Sequence, residues 1–134
     1  MFEMLHEEGI KTHYINSLSE REMLVKKVDI LQLEVIVRNI TAGSFCKRVG
    51  MKEGIILEEP IFELCYKEDS YGDPMINEDH AVAMKLATRE EIALIKTETL
   101  KINELMKDFY SKRNINIVQL RIERPFRCKI LCGI

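Results

Sequence analysis

Leu33-Glu34-Val35-Ile36-Val37-Arg38-Asn39-Ile40-Thr41-Ala42-Gly43-Ser44-Phe45-Cys46-Lys47-Arg48-Val49-Gly50 sets the architecture of this chain. Leu33, Val35 and Val37 alternate with Glu34, Ile36 and Arg38. Period-two alternation rich in β-branched residues predicts a strand over Leu33–Ile40. Past Thr41 the character changes. Gly43-Ser44 opens a segment that Gly50 closes, and it reads as a short helix with Ser44 as N-cap and Gly50 as left-handed stop. A strand thus carries Arg38 to its end, and a glycine turn and helix start follow. Gly43 permits close backbone approach to a ligand. The helix start offers unpaired N–H groups and a positive dipole end. Arg38 can grip a carboxylate or phosphate with two hydrogen bonds, and Lys47 and Arg48 add charge. Together these residues make an anion cradle. They read as well as a plain capped helix with two surface bases, and physics alone favours that blander version.

Upstream, Met1–Glu8 reads as the end of a helix, with Phe2 and Leu5 three apart and Gly9 as its stop. Lys11–Asn16 can form a short strand, Ser17–Arg21 a turn, and Met23–Ile30 another β-rich run. Downstream, Pro60–Lys67 reads as a strand and Glu68–Asp79 as a long polar loop. A helix is expected from about His80 to Leu86. Thr88-Arg89-Glu90-Glu91 matches a capping box. Ile92, Ile95, Ile102, Leu105, Met106 and Phe109 then follow at helical spacing, so an amphipathic helix is predicted to about Lys112, with Asn114 ending it. Ile115–Ile122 is a last β-rich run. The tail from Arg124 to Ile134 fits poorly: Pro125 breaks a strand, and Ile130 and Leu131 have no later element to pack with beyond a possible edge strand. The order of elements predicts an α+β fold.

A chain of 134 residues can bury a real core in one domain. With 31% charged residues but a net charge of −2, it has no global field for nucleic acid or an anionic membrane. No apolar run is long enough to span a bilayer, and the acidic start has no signal-peptide core; the expected location is cytoplasmic. Cys46, Cys65, Cys128 and Cys132 form no CxxC pair and read as reduced structural thiols. His6, His13 and His80 are scattered, and no residue is assigned to a metal. The loop from Tyr66 to His80 gathers Asp69, Asp73, Glu78 and Asp79. Asp73 and Asn77 are turn formers, and Pro74 fixes φ. Such a loop can orient an amine or sugar hydroxyls, or hold Mg²⁺ through a few oxygens; it also reads as a solvated acidic loop.

Three blocks, in this order, resemble the phosphoribosylaminoimidazole-succinocarboxamide synthase (SAICAR synthetase) family: Leu24-Val25-Lys26-Lys27 running into Leu33–Asn39, Ala42–Gly50 with Glu53-Gly54 after it, and Gly72-Asp73-Pro74-Met75-Ile76-Asn77-Glu78-Asp79-His80. The similarity runs from Met1 to about Glu123. It implies an α+β, SAICAR-synthetase-like fold, with a mixed or antiparallel sheet and packed helices. It implies an ATP-dependent ligase of purine synthesis that joins L-aspartate to carboxyaminoimidazole ribonucleotide through an acyl phosphate, with ATP and Mg²⁺ as cofactors. Its partners would be these small molecules, without nucleic acid or membrane and with a homo-oligomer allowed. Arg38 and Ser44 match the family's substrate-binding arginine and serine, with Gly43, Lys47, Arg48 and Asn77 beside them. Lys67 and Asp73 match cleft residues taken as catalytic. Lys27, Asp29 and Ile30 lie in the region resembling the hinge where adenine docks, and Glu123 joins them as cofactor-binding.

The resemblance divides the chain into 1–32, a remnant of the ATP-binding lobe and hinge; 33–123, a substrate-binding domain; and 124–134, a divergent tail. It also has gaps. The family's glycine-rich nucleotide loop precedes the segment where this chain begins, and its metal-binding acidic motif and closing helices find no match after Glu123. Where the family reads Asp-Phe-Lys-Leu-Glu-Phe-Gly, this chain reads Gln119-Leu120-Arg121-Ile122-Glu123-Arg124-Pro125, and Gln32 stands for a usual proline. The expectation is an internal piece of the enzyme, lacking most of the N-terminal lobe and the C-terminal part and without ligase activity alone. The alternative is a non-catalytic, degraded nucleotide-binding domain. A generic kinase-like module would need a glycine-rich loop that this sequence does not contain.

Overall fold

The alternating stretch becomes β3 (Ile30–Ile40), flanked antiparallel by β4 (Ile56–Tyr66) and β6 (Gln119–Pro125) in a computed structural model that describes residues 1–125. A two-residue strand, β5 (Met75–Ile76), joins the outer side of β4, giving the order β5-β4-β3-β6. A separate hairpin pairs β1 (Tyr14–Ser17) with β2 (Met23–Val25). The helices are α1 (Phe2–Glu7), α2 (Gly43–Val49), α3 (Glu78–Ala83) and α4 (Arg89–Ser111). Cys128, Ile130, Leu131 and Cys132, with the expectations attached to them, lie outside the described residues.

Register gives the sheet two unlike faces, because residues directly opposite each other share a side. On one, Val35 stands between Leu64 and Ile122, and Val37 between Phe62 and Leu120. This apolar side packs on α3 and α4, where Leu33, Val35, Leu64, Ala81, Ile92 and Ile95 form the main core. A second cluster joins Leu5 and Ile10 to Ile102 and Met106, backed by Leu120 and Ile122. The long α4 spans both clusters because its buried positions, Ile92, Ile95, Thr99, Ile102, Asn103 and Met106, recur three or four residues apart. Its start has the expected capping box: Thr88 accepts from the Glu91 amide, and Glu91 accepts from that of Thr88. Two polar residues interrupt the apolar stripe. Asn103 exchanges 2.8 Å hydrogen bonds with Asn39 of β3. The Thr99 hydroxyl is buried without a hydrogen-bond partner among the described residues.

Several local expectations move. Only Met23–Val25 of the run to Ile30 is a strand of the hairpin, and Ile30 already belongs to β3. The first strand starts at Tyr14, not Lys11. β4 begins before Pro60, which falls where the register slips between Arg38↔Ile61 and Ile40↔Ile56; such an irregularity needs no amide there. β6 begins at Gln119 rather than Ile115 and includes Pro125, tolerated because β6 is the edge strand of this sheet among the described residues. The polar loop contains a 3-10 turn at Asp69–Tyr71 as well as β5. Ser44 is not the N-cap of α2: Ala42 is, with no side-chain cap.

Candidate active site

The other face of the sheet is charged. Its rows read Glu34 between Cys65 and Glu123, Ile36 between Glu63 and Arg121, and Arg38 between Ile61 and Gln119. Arg38 is buried at 2% exposure, and two of its guanidinium N–H groups have protein acceptors: Nε donates to Glu63 Oε2 at 2.6 Å and Nη1 to Gln119 Oε1 at 3.0 Å. The second oxygen of Glu63 accepts from Arg48, which reaches over from the last turn of α2. Both guanidiniums lie over the Phe45 ring, 5.6 and 5.7 Å from its centroid, a cation–π arrangement that adds to their fixation.

The expected cradle is therefore built differently. Arg38 and Arg48 do come together, but around Glu63. One amide of the helix start is already taken, because the Gly43 N–H donates to Glu53 Oε1 at 2.8 Å. Gly43 itself is in the left-handed region at φ 58°, which explains the glycine. Ser44 and Lys47 are exposed on α2, and neither side chain makes a hydrogen bond or ion pair among the described residues. Glu53 belongs to the second of the family-like blocks, whereas Glu63 carries no motif of its own. The available hint for Glu63 was its place in Pro60-Ile61-Phe62-Glu63, an acid on the same strand side as Ile61 and Cys65.

At the other end of this face, Lys67 Nζ sits 3.0 Å from Asp73 Oδ2 and 4.0 Å from Glu123 Oε1. The hydrogen bond to Asp73, with its charge, pushes the Lys67 ammonium above its usual range and keeps it protonated. Asp73 also accepts from the Glu68 amide at 2.9 Å, and these two contacts hold it at φ 48°, unusual for a residue other than glycine. Arg121 stands 3.6 Å from the nearly buried Glu34. Burial, then Glu34 and Glu63, push the neighbouring Cys65 thiol up. Asn77 is not part of this group: its side chain accepts from the His80 amide as the cap of α3.

Lys67 is level with Gln32, whose carbonyl accepts its amide. That places it six residues along β3 from Arg38, about 20 Å of strand. The two charged groups thus occupy opposite ends of one face. Near the Lys67 end, a groove of about 450 Å³ has an apolar floor including Phe2, Leu5, Ile102 and Met106 and a rim including Val28, Ile30, Arg121 and Glu123. It unites Ile30 with Glu123, whereas Lys27 and Asp29 are exposed outside its lining. Among the described residues no three His, Cys, Asp or Glu side chains converge on a metal position. Glu123 is a carboxylate in the lining of this groove, and one or two carboxylates with water and phosphate oxygens are the usual ligands of Mg²⁺.

Fold and site together define an α+β domain with antiparallel sheets, one sheet face packed and the other charged beside an apolar groove. The sequence model of SAICAR synthetase matches residues 1–127, and the chain belongs to that family of purine-biosynthesis ligases. The match passes Glu123 by a few residues. The chain is 56% identical over 123 residues to the phosphoribosylaminoimidazole-succinocarboxamide synthase of Finegoldia magna, covering 92% of this chain and 53% of that protein. Against the enzyme of the same name from Caldanaerobacter subterraneus the identity is 53%, over 92% of this chain and 52% of that protein. Among solved structures, a SAICAR synthetase in complex with ADP superposes with a TM-score of 0.88 at 43% identity, over 94% of this chain and 54% of that one. The SAICAR synthetase of Pyrococcus horikoshii gives 0.88 at 42%, over 95% and 56%. The chain thus spans about half the length of the relatives it matches. Among the described residues no helix is long and apolar enough to cross a membrane.

Proposed function

We propose that this chain forms the substrate-binding part of a cytoplasmic, ATP-dependent ligase that joins L-aspartate to carboxyaminoimidazole ribonucleotide. The observation that carries this reading is the pair of guanidiniums, Arg38 and Arg48, fixed on the charged sheet face. A nucleotide phosphate and several carboxylates must share one pocket in this reaction, and fixed cations offset their repulsion. Arg38 and Arg48, with Ser44 and Lys47 nearby, bind the ribonucleotide's anionic groups. Residues 33–123 act as the substrate domain, and residues 1–32 contribute the hinge side of the groove. The groove takes the adenine of ATP beside Ile30; the ADP complex of a structural relative is in keeping with this. Glu123 would serve as a carboxylate ligand for Mg²⁺, which when bound would neutralise charge on the transferring group.

In the reaction, the imidazole carboxylate takes the terminal phosphoryl group of ATP and releases ADP. The aspartate amine then attacks the acyl carbon; the C–N bond forms, the C–O bond to phosphate breaks, and the amine proton is released. Lys67, kept protonated by Asp73, stabilises negative charge on the acyl oxygen, and Asp73 holds Lys67 in place.

The 134-residue polypeptide alone is proposed to bind the ribonucleotide without turnover. In a coupled ADP-release assay it should give no signal dependent on ATP and aspartate, and such a signal would refute that statement. Carboxyaminoimidazole ribonucleotide should raise the Tm, since a ligand that binds only the folded state stabilises it, and Arg38→Ala should abolish the rise. Absence of any rise at saturating ligand would favour a non-catalytic, degraded domain. Sedimentation would decide whether the chain forms a homo-oligomer.

A further inference from the structure

We infer that Glu63 is a positioning residue that turns Arg38 and Arg48 into one anion receptor, and that Gln119 leaves this receptor a net positive charge. The inference rests on the proposed function and adds to it the residues that shape the site. Glu63 is only 10% exposed at its side chain, and its two oxygens each serve a different arginine. A carboxylate in that place does two opposite things. It draws two mutually repelling guanidiniums to fixed positions, and it cancels part of their attraction for an incoming anion.

The geometry favours fixation. Glu63 holds Arg38 through Nε, and Gln119 takes one N–H of Nη1. Of the five N–H groups of a guanidinium, this leaves three at its forked end for a ligand. Gln119 supplies its acceptor oxygen without charge. The cluster of Arg38, Arg48, Glu63 and Gln119 therefore carries two positive charges against one negative, and it sits on strands packed from behind by the main core. A fixed, singly positive pair of forks suits a phosphate monoester better than a carboxylate, because more oxygens can be met at once.

The two roles of Glu63 predict opposite signs. Calorimetry on the full 134-residue chain with ribose 5-phosphate, and with ribose as the phosphate-free control, separates them. The wild type should bind ribose 5-phosphate and not ribose. Glu63→Gln raises the positive charge of the site, yet it should weaken ribose 5-phosphate by about tenfold or more if positioning dominates. Gln119→Glu keeps the hydrogen bond but adds a negative charge and should also weaken it, by about tenfold. Glu63→Asp keeps charge and fold while shortening the reach. It should lose several-fold in affinity, and it carries the test if Glu63→Gln fails to fold by circular dichroism. In the wild type, the Arg38 Nε–H resonance should move when ribose 5-phosphate is added, a response that a merely structural ion pair would not give.

Equal or tighter binding by folded Glu63→Gln, or unchanged binding by Glu63→Asp, would overturn the positioning role while leaving the proposed function standing. Failure of the wild type to distinguish ribose 5-phosphate from ribose would overturn both.

Discussion

The two faces of the central sheet are made from the same three strands and hold together by different physics. Behind it, Val35, Val37, Leu64, Leu120 and Ile122 meet the apolar stripe of α4, and the attraction is non-directional burial of apolar area. In front, Arg38, Glu63, Arg48 and Gln119 meet through hydrogen bonds whose worth depends on geometry and on every partner being present. Substitution should therefore expose a graded response behind and an all-or-none response in front.

The largest loss of stability should come from the packed face. Leu33→Ala, at a position 1% exposed, should cost about 2–5 kcal/mol in urea unfolding. A cost under about 1 kcal/mol would mean that the core is not seated where the register puts it. On the charged face, Arg38→Ala leaves Glu63 with only the half-exposed Arg48, and should cost about 3 kcal/mol. Replacing Arg38 and Glu63 together by Met should recover most of that loss while ribose 5-phosphate binding stays absent. A double variant as unstable as the single one would show that packing, not the ion pair, was measured.

Intermediate effects sharpen the contrast, because they come from polar atoms set in the apolar layer. Asn103→Ala leaves the buried Asn39 Oδ1 without its donor, with only the Nδ2 bond to the Ile117 carbonyl remaining, and should cost about 1–3 kcal/mol. Thr99→Val removes a buried hydroxyl without a hydrogen-bond partner and should be neutral or stabilising by about 1 kcal/mol. The smallest effects are those of pH. The Cys65 thiol is raised above its ordinary value of 9.0. Its contribution to stability is complete below that value and declines as pH rises through it, since the unfolded chain then ionises first. Lys67, raised above 10.5, loses its contribution only as pH climbs higher still. Urea midpoints flat from pH 7 to 8.5 and falling above 9 are expected; a fall beginning near pH 7.5 would contradict the thiol's direction.

Much of the packed half is legible in the sequence. The alternation of Leu33, Val35 and Val37 sets a strand and its buried side. Thr88 and Glu91 announce the start of α4, and Gly9, Gly50 and Asn114 all take the left-handed backbone expected of stops. These are short-range signals, in which neighbours a few residues apart select one local conformation. Ser44 shows their limit. Its place before Phe45-Cys46 suits a cap, but the turn puts Ala42 there and Glu53 supplies the amide's acceptor. Asn77 shows the converse, since a residue grouped with the substrate site serves as an ordinary cap to α3.

Residue types mark Arg38, Arg48 and Asp73 as chemically able, whereas Lys67 stands out only through the resemblance to the family. Their actual grouping came from register. Glu63 is 25 residues from Arg38 in the chain and Gln119 is 81, so no local preference can pair them. Only when β4 and β6 dock on either side of β3, under the pull of the apolar face, do these side chains arrive on one surface. The same docking sets Lys67 and Asp73 at the far end of that surface instead of beside Arg38. Local conformation follows from sterics and capping within a few residues, whereas the charge pattern of the site depends on which distant strands the hydrophobic layer brings together.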